Sequence, residues 1–297
     1  MKKLVLVVPI LFAMPAFAQE IPLDPAFQTG QLDNGMTWYV RENTEPEERA
    51  FLNLVVNVGS LQEDDDQQGL AHFLEHMAFN GTENFEKQEL IDYLEKIGME
   101  FGPEINAYTS FDETVYMLAI PTDDPEFLEQ GFQILSDWSR RILLTEEDVV
   151  DERGVVLDEW RRRLGAGQRI NEEERKLYYY GSRYAERFPI GQPEIIETAT
   201  PEPMRRFYED YYRPDLMAIV AVGDFESERI LELIHEHFDE DWGPDEQREL
   251  ILSEVEPHDE TLYSFLADPE LTRSSAEILL KFEQPPVRTM EDYRHAT

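Results

Sequence analysis

Apolar residues recur along this chain with two different periods. Leu52, Leu54, Val56 and Val58 alternate with less apolar neighbours, the mark of a strand half buried between Phe51 and Val58. Asn34-Gly35 supplies the φ > 0 positions of a tight turn, with Met36 to Val40 as the strand leaving it. Two more strands are expected at 104–109 and 113–120, joined by Ser110-Phe111-Asp112. Leu216 to Val222 is a continuous apolar run, which predicts a central strand buried on both faces.

Helical spacing governs most of the rest. Helices are expected over 69–80, 86–97, 124–142, 145–163, 170–180, 202–212 and 227–238. Asn80-Gly81 is a C-terminal stop for the first of these. Thr145, with Asp148 three residues on, is an N-terminal start for the fourth. Residues 239–260 are acidic and carry Pro244 and Pro257, so they read as a linker. Strand-like stretches at 261–266 and 276–282 follow, then a short helical start at 288–294. The natural parse is a module over 19–238, the linker, and the opening of a second module over 261–297.

Composition narrows the chemistry. Of 297 residues, 41% are hydrophobic and 11% aromatic, enough to build a core rather than stay disordered. The 26 basic residues against 64 acidic give a net charge of −38. Such a field repels phosphate backbones and excludes nucleic acid as a partner. There is no cysteine, so thiolate chemistry and disulfides are out, and a metal must be held by histidine and carboxylate.

The first residues read as a leader rather than as fold. Lys2 and Lys3, the apolar run Leu4 to Phe12 and Ala16-Phe17-Ala18 form the three parts of a signal peptide over 1–18, cleaved near Ala18. The expected location is the bacterial periplasm or beyond. The apolar run is too short for a membrane span, and no membrane anchor is expected.

One helix carries the chemistry. In Gly69 to Asn80, Leu70, Phe73, Leu74 and Met77 share a face, while His72, Glu75, His76 and Phe79 share the opposite one. Imidazoles at i and i+4 can bind a single zinc, with Glu75 beside them, in the pattern H-x-x-E-H. A third ligand must come from another element. Glu152 and Glu159 share a face of the 145–163 helix beside Val155 and Val156, a pattern that also suits a solvated acidic face.

Three segments together, GLAHFLEHMAFNGT from Gly69, NAYTSFDETVY from Asn106 and ERGVVLDE from Glu152, resemble the M16 zinc metallopeptidases. These are the pitrilysin, insulinase and mitochondrial processing peptidase family, and LDNGMTWYVREN and NVGSLQEDDDQQG are closest to its long periplasmic branch. The resemblance implies an α+β module with a mixed or mainly antiparallel sheet and helices packed on one face. It implies one Zn2+ held by His72, His76 and Glu152, with Glu75 as general base and Glu159 hydrogen-bonding a ligand histidine. Asn106 and Ala107 would bind the main chain of an extended peptide substrate along an edge strand. A closing C-terminal half, expected from the family, is missing here, and a fragment without it is expected to cleave peptides poorly. The same fold also serves as non-catalytic scaffold subunits, which typically lack the zinc residues.

Overall fold

The computed structural model describes residues 20–244, 246–282 and 286–296. The expected leader, 1–18, lies outside the described residues. Those described fall into two units, one of 26–278 and a small one of 20–25 with 279–296.

The larger unit holds strands β1 (Gln28–Gln31), β2 (Thr37–Glu42) and β3 (Arg49–Val56), then helices α1 (Leu70–Met77) and α2 (Lys87–Lys96). Strands β4 (Ile105–Thr109) and β5 (Thr114–Pro121) lead into helices α3 (Pro125–Arg140), α4 (Glu146–Arg162) and α5 (Ala166–Tyr178). Helices α6 (Pro193–Thr198) and α7 (Pro201–Tyr211) precede β6 (Met217–Gly223) and α8 (Ser227–Phe238). Local chemistry sets several of these starts. Asp124 accepts from Glu126 N–H ahead of Pro125, and the Thr145 hydroxyl accepts from Asp148 N–H at 3.1 Å.

The strands form one sheet in the order β1-β2-β6-β3-β5-β4, antiparallel except where β2 runs parallel to β6. Helices α3 and α8 cover one face. Along β3, Ala50, Leu52, Leu54 and Val56 are buried against them while Phe51 points away, 42% exposed. Covering one face only also corrects the expectation for β6. Met217, Ile219 and Ala221 are buried, but Ala218, Val220 and Val222 are partly exposed, so this central strand alternates instead of being buried on both faces. Trp138 of α3 binds the core together, donating from Nε1 to the Ala78 carbonyl at 2.8 Å and stacking near Tyr116.

The described residues of 239–260 contain no helix or strand, yet they are not loose. Trp242 and Leu250 pack on the core, and Arg248 bonds Asp64 and Asp210. The expected strands at 261–266 and 276–282 are absent. Tyr263 and Phe265 are more than nine-tenths exposed, because β-favouring residues make a strand only when a neighbouring edge completes the ladder. In the small unit, Glu20 forms an isolated bridge with Thr289, and helix α9 (Met290–Ala296) starts on Thr289.

Candidate metal centre

Helix α1 is held at its first turn by a residue six positions upstream. Gly69 has a φ of 99°, and a Cβ there would come within 2.8 Å of Gly191, so only glycine fits. With no side chain to cap the helix, Glu63 does so from outside: its Oε1 accepts from Gly69 N–H at 3.0 Å and Ala71 N–H at 2.8 Å. Glu63 is fully buried, and burial pushes its carboxyl up to about 8, against the pull of those two donors and of Arg187 and Arg183.

The apolar face of α1 enters the core as the spacing predicts, but the opposite face is also covered. His72 is 8% and Glu75 7% exposed, since β4, α4 and α7 close around the helix. The two imidazoles stand edge to face, ring centroids 4.8 Å apart. Helix α4 brings both of its carboxylates to them, in positions opposite to those expected. Glu159 Oε2 lies 3.6 Å from His72 Nε2 and 3.4 Å from His76 Nε2. Glu152 is behind the ring, with Oε1 at 2.9 Å from His76 Nδ1 and Oε2 accepting from Asn80 Nδ2 at 2.9 Å. The carboxylate that faces both Nε2 atoms is therefore Glu159, and the one at His76 Nδ1 is Glu152. Sequence spacing alone does not separate two glutamates on one helical face; their reach is set by where α4 crosses α1.

His72, His76 and Glu159 each present a ligand atom within 4.8 Å of the others. This set fits zinc. Donors placed tetrahedrally at about 2.1 Å from an ion are roughly 3.4 Å from one another, close to the separations from Glu159 to both rings. Two nitrogens and one carboxylate leave a fourth position open, the composition of catalytic rather than structural sites.

Electrostatics agree with a cation here. Burial, helped by the charge on His76, pushes His72 down to about 4. Burial acts on His76 in the same direction but is outweighed by its bonds to Glu152 and Glu159, which hold it at about 9. The bond from His76 keeps Glu159 at about 2. Without a metal, His76 thus carries a proton on each nitrogen between the two carboxylates, and a divalent ion at the Nε2 atoms would replace the one on Nε2.

Glu75 points into the same space. Its carboxyl is raised by burial, against a hydrogen bond from the Thr109 hydroxyl to Oε2 at 2.8 Å. Glu75, His76 and Ala107 line two adjoining hollows. One of about 190 Å³ also contains His72, Glu159 and Arg163. The other, about 370 Å³, is walled by Phe79, Ile91, Phe101 and Ile105, with Lys87. Arg163 bonds Glu159 Oε1, fixing the carboxylate from its far side.

Strand β4 forms the rim, and its outer edge has no partner strand among the described residues. The bonds Ala119 N–H to Glu104 O and Ser110 N–H to Glu113 O turn the even-numbered main-chain groups of β4 toward β5. Ala107 and Thr109 therefore present their N–H and C=O outward. Asn106 does not; it reaches the edge only through its side chain, whose Oδ1 accepts from Ala107 N–H at 2.9 Å. Sequence reasoning did not single out Thr109, Asn80, Arg163 or Glu63. Asn80 was open to it, four residues after His76 on the same helical face.

Residues 39–175 match the family model described as Insulinase (Peptidase family M16), and residues 198–296 match that of the Peptidase M16 inactive domain. The chain is 42% identical over 221 residues to the probable zinc protease PqqL of Haemophilus influenzae, covering 74% of this chain and 24% of that one. It is 38% identical to the probable zinc protease PqqL of Escherichia coli, covering 79% of this chain and 25% of that one. The crystal structure of the first half of the E. coli periplasmic protease PqqL superimposes with a TM-score of 0.75 at 36% identity, over 80% of this chain and 50% of that one. The chain thus spans about a quarter of the length of these curated relatives. No helix among the described residues is long and apolar enough to cross a membrane.

Proposed function

Because the chain belongs to peptidase family M16, we propose that it forms the catalytic module of a zinc metalloendopeptidase, exported to the periplasm, that hydrolyses extended peptides. The observation that carries this reading is the convergence of His72, His76 and Glu159 on one point beside Glu75.

His72, His76 and Glu159 would hold the ion, and Glu152 would keep the His76 Nδ1 proton in place so that the Nε2 lone pair faces inward. When bound, zinc supplies Lewis acidity toward the attacking water and the scissile carbonyl. Glu75 takes a proton from that water as its oxygen attacks the carbonyl carbon, then delivers the proton to the leaving amine as the C–N bond breaks. The outward N–H and C=O of Ala107 pair with the substrate main chain, adding it to the sheet as a seventh strand, while Asn106 acts through its side-chain amide. Main-chain pairing of this kind selects for an extended conformation more than for a sequence. Modules over 19–238 and beyond 261, joined by the 239–260 segment, are the domain arrangement we assign.

The test is zinc content and hydrolysis of an unstructured peptide by the full-length protein that carries this sequence. One tightly held zinc per catalytic module and chelator-sensitive cleavage are expected. Protein that takes up no stoichiometric zinc, or cleaves equally well after chelation, overturns the reading.

A further inference from the structure

We propose that Thr109 is a positioning residue for the general base: its hydroxyl fixes the Glu75 carboxylate and couples that base to the strand on which substrate lies. The inference rests on the peptidase reading above and adds to it a residue from a different element.

Four observations meet at this contact. First, the Thr109 hydroxyl donates to Glu75 Oε2 at 2.8 Å. An ionised carboxylate buried to this degree needs a donor, and no other side chain among the hydrogen bonds described donates to it. Second, Thr109 is β-branched and sits in a ladder, opposite Thr114, so its side chain has little rotamer freedom. Thr114 is itself fully buried and donates from Oγ1 to the Val58 carbonyl at 3.0 Å, which anchors this end of β4 to the core.

Third, alternation along β4 puts the Ala107 and Thr109 side chains on one face, the face lining the hollow that contains His72 and Glu75. Fourth, the main-chain groups of those same two residues face the free edge of the sheet. Thr109 therefore does two things with two parts of one residue: its backbone offers a rung to an incoming strand, and its hydroxyl holds the base. With Oε2 engaged by the hydroxyl, Oε1 is left as the oxygen that takes a proton. A substrate strand that draws β4 into register draws the carboxylate with it. Glu75 swinging free of this bond would still be present and still be basic, but it would spend much of its time out of line with the water.

The test compares Thr109→Val, which keeps shape and removes the hydroxyl, with Thr109→Ser, which keeps the hydroxyl, in the full-length zinc-loaded protein. A bond to a charged group of this type supports a loss of roughly tenfold to a hundredfold in kcat for Thr109→Val. KM should move less than about twofold, zinc affinity measured by competition with a chelating dye should match the parent, and Thr109→Ser should recover most of kcat. Parental kcat in Thr109→Val overturns the proposal. So does a loss of zinc affinity in that variant, which would place the effect at the metal, and so does a failure of Thr109→Ser to restore turnover. Glu75→Gln runs in parallel: if that variant remains active, the base assignment itself has failed, a result distinct from any outcome at Thr109.

Discussion

Glu152 and Glu159, two turns apart on one helix, hold opposite sides of the same imidazole: Oε1 of Glu152 is 2.9 Å from His76 Nδ1, and Oε2 of Glu159 is 3.4 Å from its Nε2. A ring clamped in this way has one orientation, and a metal at Nε2 would leave its remaining proton on Nδ1. Replacing the two carboxylates should therefore have different consequences. Glu159→Ala is expected to abolish stoichiometric zinc binding. Glu152→Gln is expected to weaken it by about 10–100-fold while leaving one site. Titration against a chelating dye separates the two, and the reverse order of effects would restore Glu152 as the ligand.

Glu75 touches neither His72 nor Glu159 by any hydrogen bond described, and its carboxylate is engaged by Thr109. Glu75→Gln should leave zinc affinity near the parent value and reduce kcat by about 10²–10⁴. Parental turnover in this variant would remove Glu75 from the chemistry.

Occupation of the centre should stabilise the fold, because the proposed ligands lie on α1 and α4, which pack together only in the native state. Ligand binding to the folded state alone adds about 4 kcal/mol at a thousandfold excess over Kd. Calorimetric melting of zinc-loaded and chelated protein should show the loaded form unfolding at higher temperature. Coincident curves would contradict a three-ligand site.

Glu63 gives a pH dependence of stability whose sign is opposite to that of a salt-bridged carboxylate. Burial raises its carboxyl from 4.5 to about 8 in the folded chain. The folded state thus holds the proton more tightly than the unfolded one. Its contribution is fully present below about pH 4.5 and is lost as pH rises through 8, with a slope of at most about 1.4 kcal/mol per unit. Glu63→Gln keeps an acceptor for Gly69 and Ala71 N–H and cannot ionise. Urea denaturation of both proteins from pH 4.5 to 8 should show the parent losing stability relative to the variant; parallel profiles would mean that Glu63 titrates normally.

Much of this arrangement was legible in the sequence. The i, i+4 histidines, the Asn80-Gly81 stop and the Thr145 start place α1 and α4 to within a few residues. The alternation of Leu52, Leu54 and Val56 identifies a strand and its buried face. What could not be read was set by crossing geometry or by partners distant in the chain. The choice between Glu152 and Glu159 depends on the height at which α4 passes α1. The cap of α1 comes from Glu63, outside the local window in which capping residues are sought. At 261–266 the β-favouring composition is genuine, but no described edge pairs with it, so composition alone promised a strand that packing does not supply. The hydroxyl of Thr109 gained meaning only once β4 was seen to run past Glu75.

The Asn106 amide, folded back onto the main-chain N–H of its neighbour, has a bearing on what can approach the sheet. An open edge invites any passing strand, including one from another copy of the same protein, and chains that keep such edges in solution usually blunt them. Here a single exposed side-chain bond does the blunting, and if peptides dock as proposed it must open to let them in. A visitor must exchange its own carbonyl for the Asn106 oxygen before it can dock beside Ala107, so a brief or poorly aligned encounter gains nothing. Only a chain long enough to continue along the strand recovers the exchange through further rungs. Under the function proposed above, the side chain would act as a turnstile, keeping the rim from sticking to its own kind while admitting a peptide that stays.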